Sequence, residues 1–254
     1  NKYDEFCSMI VSSKEYSGAG ALSLLATLNT GVGYAKAIVP GSLSHIYSNI
    51  FDAVNIPIGK NDYFKFQDYA LIIKSKLTHK NSPLLIGPGL GDNKSTISLI
   101  SKLLKYFKNN NNKIILDASG FEPLYSDKFD VDELPSECIL TPHLGEFQKI
   151  FPKIDIRNPL DACRKVAKKL NKRVLVLKGP STIVVTSTKK YYIINNGNSL
   201  LATAGSGDVL SGIILGILAK GYDIDRAAII GTYIHGLCSK KYSKQYSLNS
   251  MSAS

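Results

Sequence analysis

The chain has 254 residues, of which 44% are hydrophobic and 20% are charged, and its formal net charge is +11. This composition excludes a wholly disordered chain, because it supplies enough apolar side chain for a core. No apolar run reaches ~18 residues, and residues 1–5 lack the pattern of a signal peptide, so neither a membrane span nor a leader is predicted. The positive charge leaves nucleic acid, an anionic membrane and an anionic small molecule open as partners.

β-rich runs alternate with helical runs along the first part of the chain. Apolar residues recur at helical spacing in the predicted helices, and Pro40 with Gly41 ends the second strand. The predicted strands lie at residues 8–11, 34–39, 84–86, 113–116 and 138–140. The predicted helices lie at residues 20–29 and 95–107.

The second part continues the alternation and adds closely spaced strands. The predicted strands lie at residues 173–177, 182–186 and 191–194, and the predicted helices at residues 161–170, 208–218 and 226–239. Strands that alternate with helices predict an α/β fold with a mostly parallel sheet and helices on both faces. The last three strands indicate an antiparallel extension at one edge. No break in composition marks a boundary, so we expect a single domain.

The four cysteines are far apart in the sequence and form no Cys-x-x-Cys pair. The spacing argues against a zinc site and against a disulfide framework. Free thiols in a reducing compartment fit this pattern better, so a cytoplasmic location is expected.

A glycine-rich segment, residues 203–208, leads directly into the predicted helix 208–218. Glycines allow close approach of a ligand, and the free N–H groups of a first helical turn attract anions together with the helix dipole. This predicts a phosphate site. Asp208 is then either a helix N-cap or a general base beside the phosphate. The run of residues 196–208 is longer than a cap requires, which favours the general base.

A second glycine-rich segment, residues 87–91, follows the predicted strand 84–86. Its spacing is not that of a dinucleotide-binding fingerprint, because Asp92 occupies the last glycine position, and it is not a phosphate loop of the Gly-x-x-x-x-Gly-Lys type. A strand-to-helix turn explains one glycine rather than three. The segment therefore predicts close approach of a flat ligand or a sugar.

Polar residues after other predicted strands keep two interpretations each. His143 is either an exposed loop residue or a donor to a phosphate or carboxamide, and Glu146 is either a helix-start carboxylate or a group that orients a water on Mg²⁺. Lys178 is either a solvated strand-end lysine or a contact to nucleotide phosphate or ribose. Asp117 either positions substrate or caps its loop. The remaining histidines lack such a context and are interpreted as structural: His45, His79 and His235.

Five ordered segments together resemble the ADP/ATP-dependent NAD(P)H-hydrate dehydratases of the ribokinase-like superfamily. They are residues 16–22 with 30–33, 87–91, 141–147, 178–182 and 196–208, and the third matches the family's Thr-Pro-His-x-Gly-Glu segment. The resemblance covers nearly the whole chain. It implies a ribokinase-like three-layer α/β fold and a hydro-lyase that returns hydrated NADH and NADPH to NAD(P)H, with ADP or ATP as the phosphoryl donor.

The resemblance also implies roles for the residues that match the family's motifs. Asp208 is implied to be the catalytic base, and Mg²⁺ is the implied cofactor, with Glu146 as a candidate for indirect contact. The implied anion hole comprises Ala204, Gly205, Ser206 and Gly207. The implied nucleotide-binding residues are Lys178, Gly179, Pro180, Ser181 and Thr182. The implied hydrate-binding residues are Ala19, Gly89, His143 and Asp208.

Two departures from the family pattern bear on the site. Ser12 and Ser13 lie in the loop where the family usually has two glycines, so a differently shaped loop is expected there. Ser119 lies where the family commonly has a carboxylate or an amide.

The alternative function is a small-molecule kinase of the same superfamily, acting on a hydroxymethylpyrimidine or a sugar, which would use the same anion hole and base. Residues 141–146 favour the dehydratase. The basic cluster in residues 164–173 lacks a nucleic-acid-reading motif, so neither nucleic acid nor membrane is expected as a partner. We expect a homo-oligomer and an NAD(P)H-hydrate epimerase as a fused or separate functional partner. The domain of residues 1–254 is compatible with excision from a longer chain.

Overall fold

A nine-stranded mixed sheet forms the centre of the molecule. The computed structural model describes residues 5–75, 77, 82–126, 129–245 and 252–254. The strand order is β3-β2-β1-β4-β5-β6-β7-β8-β9. The strands are β1 (Phe6–Ile10), β2 (Tyr34–Pro40), β3 (Val54–Ile58), β4 (Leu84–Ile86), β5 (Ile114–Leu116), β6 (Cys138–Leu140), β7 (Val174–Leu177), β8 (Thr182–Val185) and β9 (Tyr191–Ile194).

The sheet is parallel from β3 to β7, and the pairs β7–β8 and β8–β9 are antiparallel. This confirms the predicted α/β class with an antiparallel edge. The sequence analysis missed β3, which forms the other edge of the sheet. Its Asn55 and Pro57 weaken the strand signal, and proline is tolerated in a sheet mainly at an edge.

Helices cover both faces of the sheet. They are α1 (Ser17–Asn29), α2 (Ser44–Tyr47), α3 (Tyr69–Lys74), α4 (Lys94–Asn109), α5 (Leu144–Ile150), α6 (Pro159–Val166), α7 (Ser206–Ala219) and α8 (Ile224–Gln245). Predicted helix 161–170 is displaced, since α6 begins earlier and ends at Val166. The side chain of Asn158 caps α6 and Pro159 takes its first position, and both residues favour a helix start.

Two apolar cores lie on opposite faces of the sheet. Leu99, Phe107 and Phe147 belong to the core that α4, α5 and α6 cover. Leu24 and Ile214 belong to the core beneath α1, α7 and α8. Alternate residues of β4 contribute to different cores, which is why the central strands are apolar along their whole length.

Within the described residues, the search for a helix that is both long and apolar enough to cross a membrane finds none.

Candidate active site

The loops after the parallel strands β4, β5, β6 and β7 lie side by side, because these strands are neighbours in the sheet. Ligands of such sheets bind beyond the carboxyl ends of the strands. The loops after β6 and β7 are joined directly, since the Lys178 N–H donates to the Pro142 carbonyl at 2.8 Å. His143 and Lys178 also form an isolated parallel bridge. Residues from separate sequence segments are thereby brought to one edge.

The N-terminus of α7 carries the glycine-rich segment. Gly205 is the N-cap residue in the left-handed region at φ +88°, and Ser206 is the first helical residue. The Ser206 N–H donates to the Thr203 carbonyl at 3.3 Å, which closes a turn before the helix. The N–H groups of a first helical turn have no acceptor within the helix, and this leaves the amides of Gly207 and Asp208 suited to an anion. Ala204 is exposed just before the cap.

Hydrogen bonds to its main-chain carbonyl fix Asp208 in place, and the pKa of its side chain is strongly raised. Its carbonyl accepts hydrogen bonds from Ser23 Oγ at 2.9 Å and Ser211 Oγ at 3.0 Å. Burial raises the pKa of the Asp208 carboxyl to about 7, and the negative charges of Asp117 and Glu146 add to the rise while Lys178 opposes it. A carboxylate with a pKa near neutrality is suited to accept a proton from a hydroxyl.

Lys178 lies among the carboxylates rather than in open solvent. Its Nζ is 2.8 Å from Asp117 Oδ1 and 3.8 Å from Glu146 Oε2, and its side chain is 19% exposed against 1% for Asp117. Burial alone lowers the pKa of Lys178, but Asp117 and Glu146 outweigh it and the pKa is raised. A Cβ on Gly207 would lie 3.2 Å from Nζ, so the ammonium is beside the glycine-rich segment.

Asp117 caps its loop, which is one of the two roles that its sequence position suggested; the other, positioning substrate, stays a prediction. Its Oδ1 accepts from the Ala118 N–H at 3.0 Å, which caps the loop, and it also accepts from Lys178. Ala118 itself has a φ of +46°, an uncommon value for a residue with a side chain. The carboxylate thus stabilises a strained loop and holds the lysine.

His143 and Glu146 form a reciprocal capping box at the start of α5. Glu146 Oε2 accepts from the His143 N–H at 2.8 Å, and His143 Nδ1 accepts from the Glu146 N–H at 3.2 Å. Acceptance by Nδ1 leaves the proton of the neutral ring on Nε2. Nε2 lies 3.6 Å from Glu146 Oε1, and the His143 side chain is 60% exposed, so a ligand can still reach the ring.

Ala19 and Gly89 lie against each other at the start of α1. Gly89 has a φ of +71°, and a Cβ there would collide with the Tyr16 carbonyl and lie 3.2 Å from Ala19 Cβ. Only glycine fits this position. Ser23 Oγ contacts both the Ala19 carbonyl, at 3.2 Å, and the Asp208 carbonyl, which places these two predicted hydrate-binding residues within one hydrogen-bonded group.

The serine in place of a family glycine has a structural explanation. Ser12 has a φ of +71°, a value that glycine adopts without strain. Its Oγ lies 2.5 Å from Tyr47 Oη and donates to the Ser17 carbonyl at 3.1 Å, and these contacts offset the strain. Of the remaining predicted nucleotide-binding residues, Gly179, Pro180 and Ser181 form the turn between β7 and β8, and Thr182 begins β8. Gly179 and Ser181 are exposed.

Two residues near the site were missed or undervalued in the sequence. His235, which was interpreted as structural, lies with Nε2 at 3.1 Å from Ser206 Oγ. Ser23 carries no sequence signal beyond its place in an apolar helix, yet it bonds to the main chain of Asp208. His45 contacts the Ser42 carbonyl at 2.9 Å, apart from the site residues, and His79 lies outside the described residues.

With this geometry in place, comparison with known proteins is decisive. A family model described as NAD(P)H-hydrate dehydratase matches residues 7–254. The chain belongs to the NAD(P)H-hydrate dehydratase family. The bifunctional NAD(P)H-hydrate repair enzyme Nnr of Dictyoglomus turgidum is 32% identical over 244 residues, which are 92% of this chain and 46% of the relative. Nnr of Thermofilum pendens is 29% identical, over 90% of this chain and 44% of its own length. The chain thus spans about half the length of these curated relatives.

Solved structures agree on the fold of this dehydratase-family chain. Bacillus subtilis YxkO superposes with a TM-score of 0.79 at 23% identity, covering 98% of this chain and 87% of its own. A ribokinase-like superfamily protein from Enterococcus faecalis gives 0.77 at 23% identity, over 96% of this chain and 81% of its own. The ADP/ATP-dependent NAD(P)H-hydrate dehydratase of B. subtilis, co-crystallized with ATP/Mg²⁺, gives 0.74 at 23% identity, over 100% and 86%. The expected ribokinase-like fold is confirmed.

Proposed function

We propose that this chain is a nucleotide-dependent NAD(P)H-hydrate dehydratase that restores damaged NADH and NADPH. One observation carries the proposal: a half-buried carboxylate with a pKa of about 7, Asp208, lies in the first turn of a glycine-capped helix beside the ammonium of Lys178. This combines a general base with a site for phosphoryl charge. Family membership supplies the substrate class.

The reaction joins two steps at the ring hydroxyl of the hydrate. Asp208 accepts the hydroxyl proton as the oxygen attacks the terminal phosphorus of ADP or ATP, a new P–O bond forms, and the bond to the departing nucleotide breaks. Phosphate then leaves with the C–O bond electrons, a neighbouring carbon loses a proton, and the ring double bond returns. Phosphorylation is needed because hydroxide is a poor leaving group, whereas phosphate is a good one.

The proposed residue roles follow the placement of the side chains. The first-turn amides around Gly207, with Lys178 beside them, stabilise charge on the transferred phosphoryl group. The turn of residues 179–182 binds the nucleotide. The hydrate lies against Ala19 and Gly89, with His143 donating from Nε2.

Mg²⁺ is proposed as the cofactor, and the donor set fits a cation held largely by nucleotide phosphates. Among the described residues no cluster of three or more His, Cys, Asp or Glu could hold a metal by itself. Mg²⁺ in nucleotide sites usually takes one or two carboxylates with substrate phosphates and waters. Glu146 is the carboxylate that would hold it, directly or through water, and when bound the cation neutralises phosphate charge.

Organisation beyond this site also belongs to the proposal. We propose that the chain forms one dehydratase domain, works in the cytoplasm with an NAD(P)H-hydrate epimerase as a fused or separate partner, and assembles as a homo-oligomer. Its exposed apolar side chains on α8, Tyr233, Ile234 and Leu237, support self-association. The fused arrangement is supported by the bifunctional relatives, which are about twice as long. Light scattering would measure the oligomeric state.

The deciding experiment supplies NADH hydrate with Mg²⁺ and either ADP or ATP, and follows the return of nicotinamide absorbance together with release of phosphate. We expect recovery that requires one of the nucleotides. No recovery with either nucleotide contradicts the dehydratase. Nucleotide-dependent phosphorylation of a hydroxymethylpyrimidine or sugar, without hydrate turnover, would instead identify the small-molecule kinase.

A further inference from the structure

His235 is a histidine that the proposed reaction does not use, yet it lies beside the phosphate-binding segment. Its Nε2 is 3.1 Å from Ser206 Oγ, and Ser206 is the first residue of α7. The pKa of the His235 imidazole is lowered to about 4, because burial and the nearby positive charge of Lys178 outweigh a hydrogen bond with the Ser206 main chain that raises it. The ring is therefore neutral at physiological pH and acts through hydrogen bonding.

Helix α8 also holds the start of the segment that leads into the anion hole. Asn196 Nδ2 donates to the Tyr233 carbonyl at 2.8 Å, and Asn198 Nδ2 donates to the Ser239 carbonyl at 3.2 Å. Gly236, next to His235, has no room for a Cβ because Asn196 Oδ1 occupies that space. The segment thus packs on α8 at both of its asparagines, and the His235–Ser206 contact is the last before the phosphate site.

We propose that His235 is a positioning residue. It holds Ser206, the first residue of α7, against α8, and it thereby orients the first turn of α7 toward the nucleotide's transferred phosphoryl group. The inference rests on the proposed function. The physical reason is preorganisation: amides that already point at the phosphate do not have to be ordered when it binds. The Ser206 N–H donates to the Thr203 carbonyl, and the Ser206 hydroxyl contacts His235. The N–H and the hydroxyl therefore both hold the segment in place.

The test measures nucleotide affinity directly, by calorimetry with ADP or ATP and Mg²⁺, so it does not depend on hydrate turnover. His235→Leu removes the hydrogen bond at similar volume, and His235→Gln keeps a neutral amide near the Nε2 position. We expect the nucleotide Kd to rise ~3–10-fold in His235→Leu, the effect of one neutral hydrogen bond, and to stay within about twofold in His235→Gln. Cys238→Ala, an exposed change on the same helix and outside the apolar set proposed for self-association, is the matched control and should leave the Kd unchanged.

A double-mutant cycle separates positioning from general destabilisation. Ser206→Ala should raise the nucleotide Kd about as much as His235→Leu, and combining the two should add little, because both remove the same contact. The KM for hydrate should stay constant in all these variants. Additive effects, or equal loss of nucleotide and hydrate affinity, would overturn the positioning role. A wild-type protein that binds neither nucleotide would overturn the proposed function together with this inference.

Discussion

At the scale of single residues, the site depends on a balance of buried charges around Asp208. Asp117 and Glu146 raise the pKa of this carboxyl, and Lys178 lowers it, while burial contributes most. The environment is costly for an ionised acid, and active sites commonly store free energy in this way. This balance of charges predicts how substitutions change turnover and how they change the stability of the fold.

Asp208→Asn should remove turnover by ~10²–10⁴-fold, because it removes the general base. The same variant should be more stable than the wild type above pH 7. The folded-state pKa of about 7 exceeds the ordinary value of 3.8, so the contribution of Asp208 to stability is complete below pH 3.8 and is lost as the pH rises from there to about 7. Thermal unfolding of both proteins at about pH 4 and at pH 9 measures this, with exposed Asp52→Asn as the control. A variant that is less stable at pH 9 would contradict the assigned pKa shift.

Asp117→Asn and Lys178→Met should move the acid limb of the activity profile in opposite directions. A general base must be ionised, so activity falls as the pH drops below its pKa. Loss of the Asp117 charge lowers the pKa of Asp208 and moves the limb to lower pH, whereas loss of the Lys178 charge raises it and moves the limb to higher pH. Lys178→Met should also lower turnover by roughly 10²-fold. Profiles of kcat/KM against pH measure both, and shifts of the same sign would exclude this electrostatic account.

At the scale of elements, close packing of α1 on α7 links the core to the site. Small and hydroxyl side chains line the contact: Ser23 Oγ donates to the Asp208 carbonyl at 2.9 Å, and Thr27 Oγ1 donates to the Gly212 carbonyl at 2.9 Å. The helices approach so closely because Gly212 has no side chain. The main-chain position of Asp208, the proposed general base, is therefore set by helix packing as well as by its own turn.

Gly212→Ala should lower the free energy of unfolding by ~1–3 kcal/mol, because the new Cβ collides with the Ser23 carbonyl. Gly18→Ala is the matched change, since a Cβ there meets nothing within 4 Å in the same pair of helices. It should be neutral or stabilise the protein by up to ~1 kcal/mol, the helix propensity of alanine over glycine. Urea unfolding compares the two variants. Equal midpoints would contradict the prediction, because they would show that α1 and α7 can move apart without cost.

At the scale of the whole molecule, the sheet gathers the anion-binding and hydrate-binding groups at one edge, and the chain carries a net charge of +11. Both proposed ligands are polyanions, so a positive field should speed their capture. In the proposed function, however, the specific phosphate contacts come from backbone amides and from Lys178, which is only half-buried. The net charge therefore acts on the capture of the ligands, whereas the site residues act on the ligands once they are bound.

Salt should lower kcat/KM for nucleotide and for hydrate more than it lowers kcat. Screening shortens the range of the field to ~3 Å at about 1 M ionic strength, but it weakens partly buried contacts much less. Steady-state kinetics at low and high NaCl measure the difference. A change in kcat as large as the change in kcat/KM would contradict the prediction. Potassium glutamate in place of NaCl controls for specific chloride binding at the anion site.

The sequence alone determined the features that depend on residues close to one another along the chain. Periodicity predicted most helices and strands, and the glycine-rich run predicted a helix over residues 208–218 with Asp208 in it, whereas the structure begins this helix at Ser206. The α/β class with its antiparallel edge followed from the order of these elements. The sequence analysis missed β3, because an edge strand that contains proline has little periodic signal.

The tertiary structure decided which distant residues act together. Asp117 pairs with Lys178 across 61 positions, Ser206 with His235 across 29, and Ser23 with Asp208 across 185. These contacts depend on the strand order β3-β2-β1-β4-β5-β6-β7-β8-β9 and on the packing of helices over it. Local patterns do not specify that order, because it is set by burial of both faces of the sheet at once. The sequence therefore pointed to Asp208 as the proposed base, and only the fold showed which charges shift its pKa.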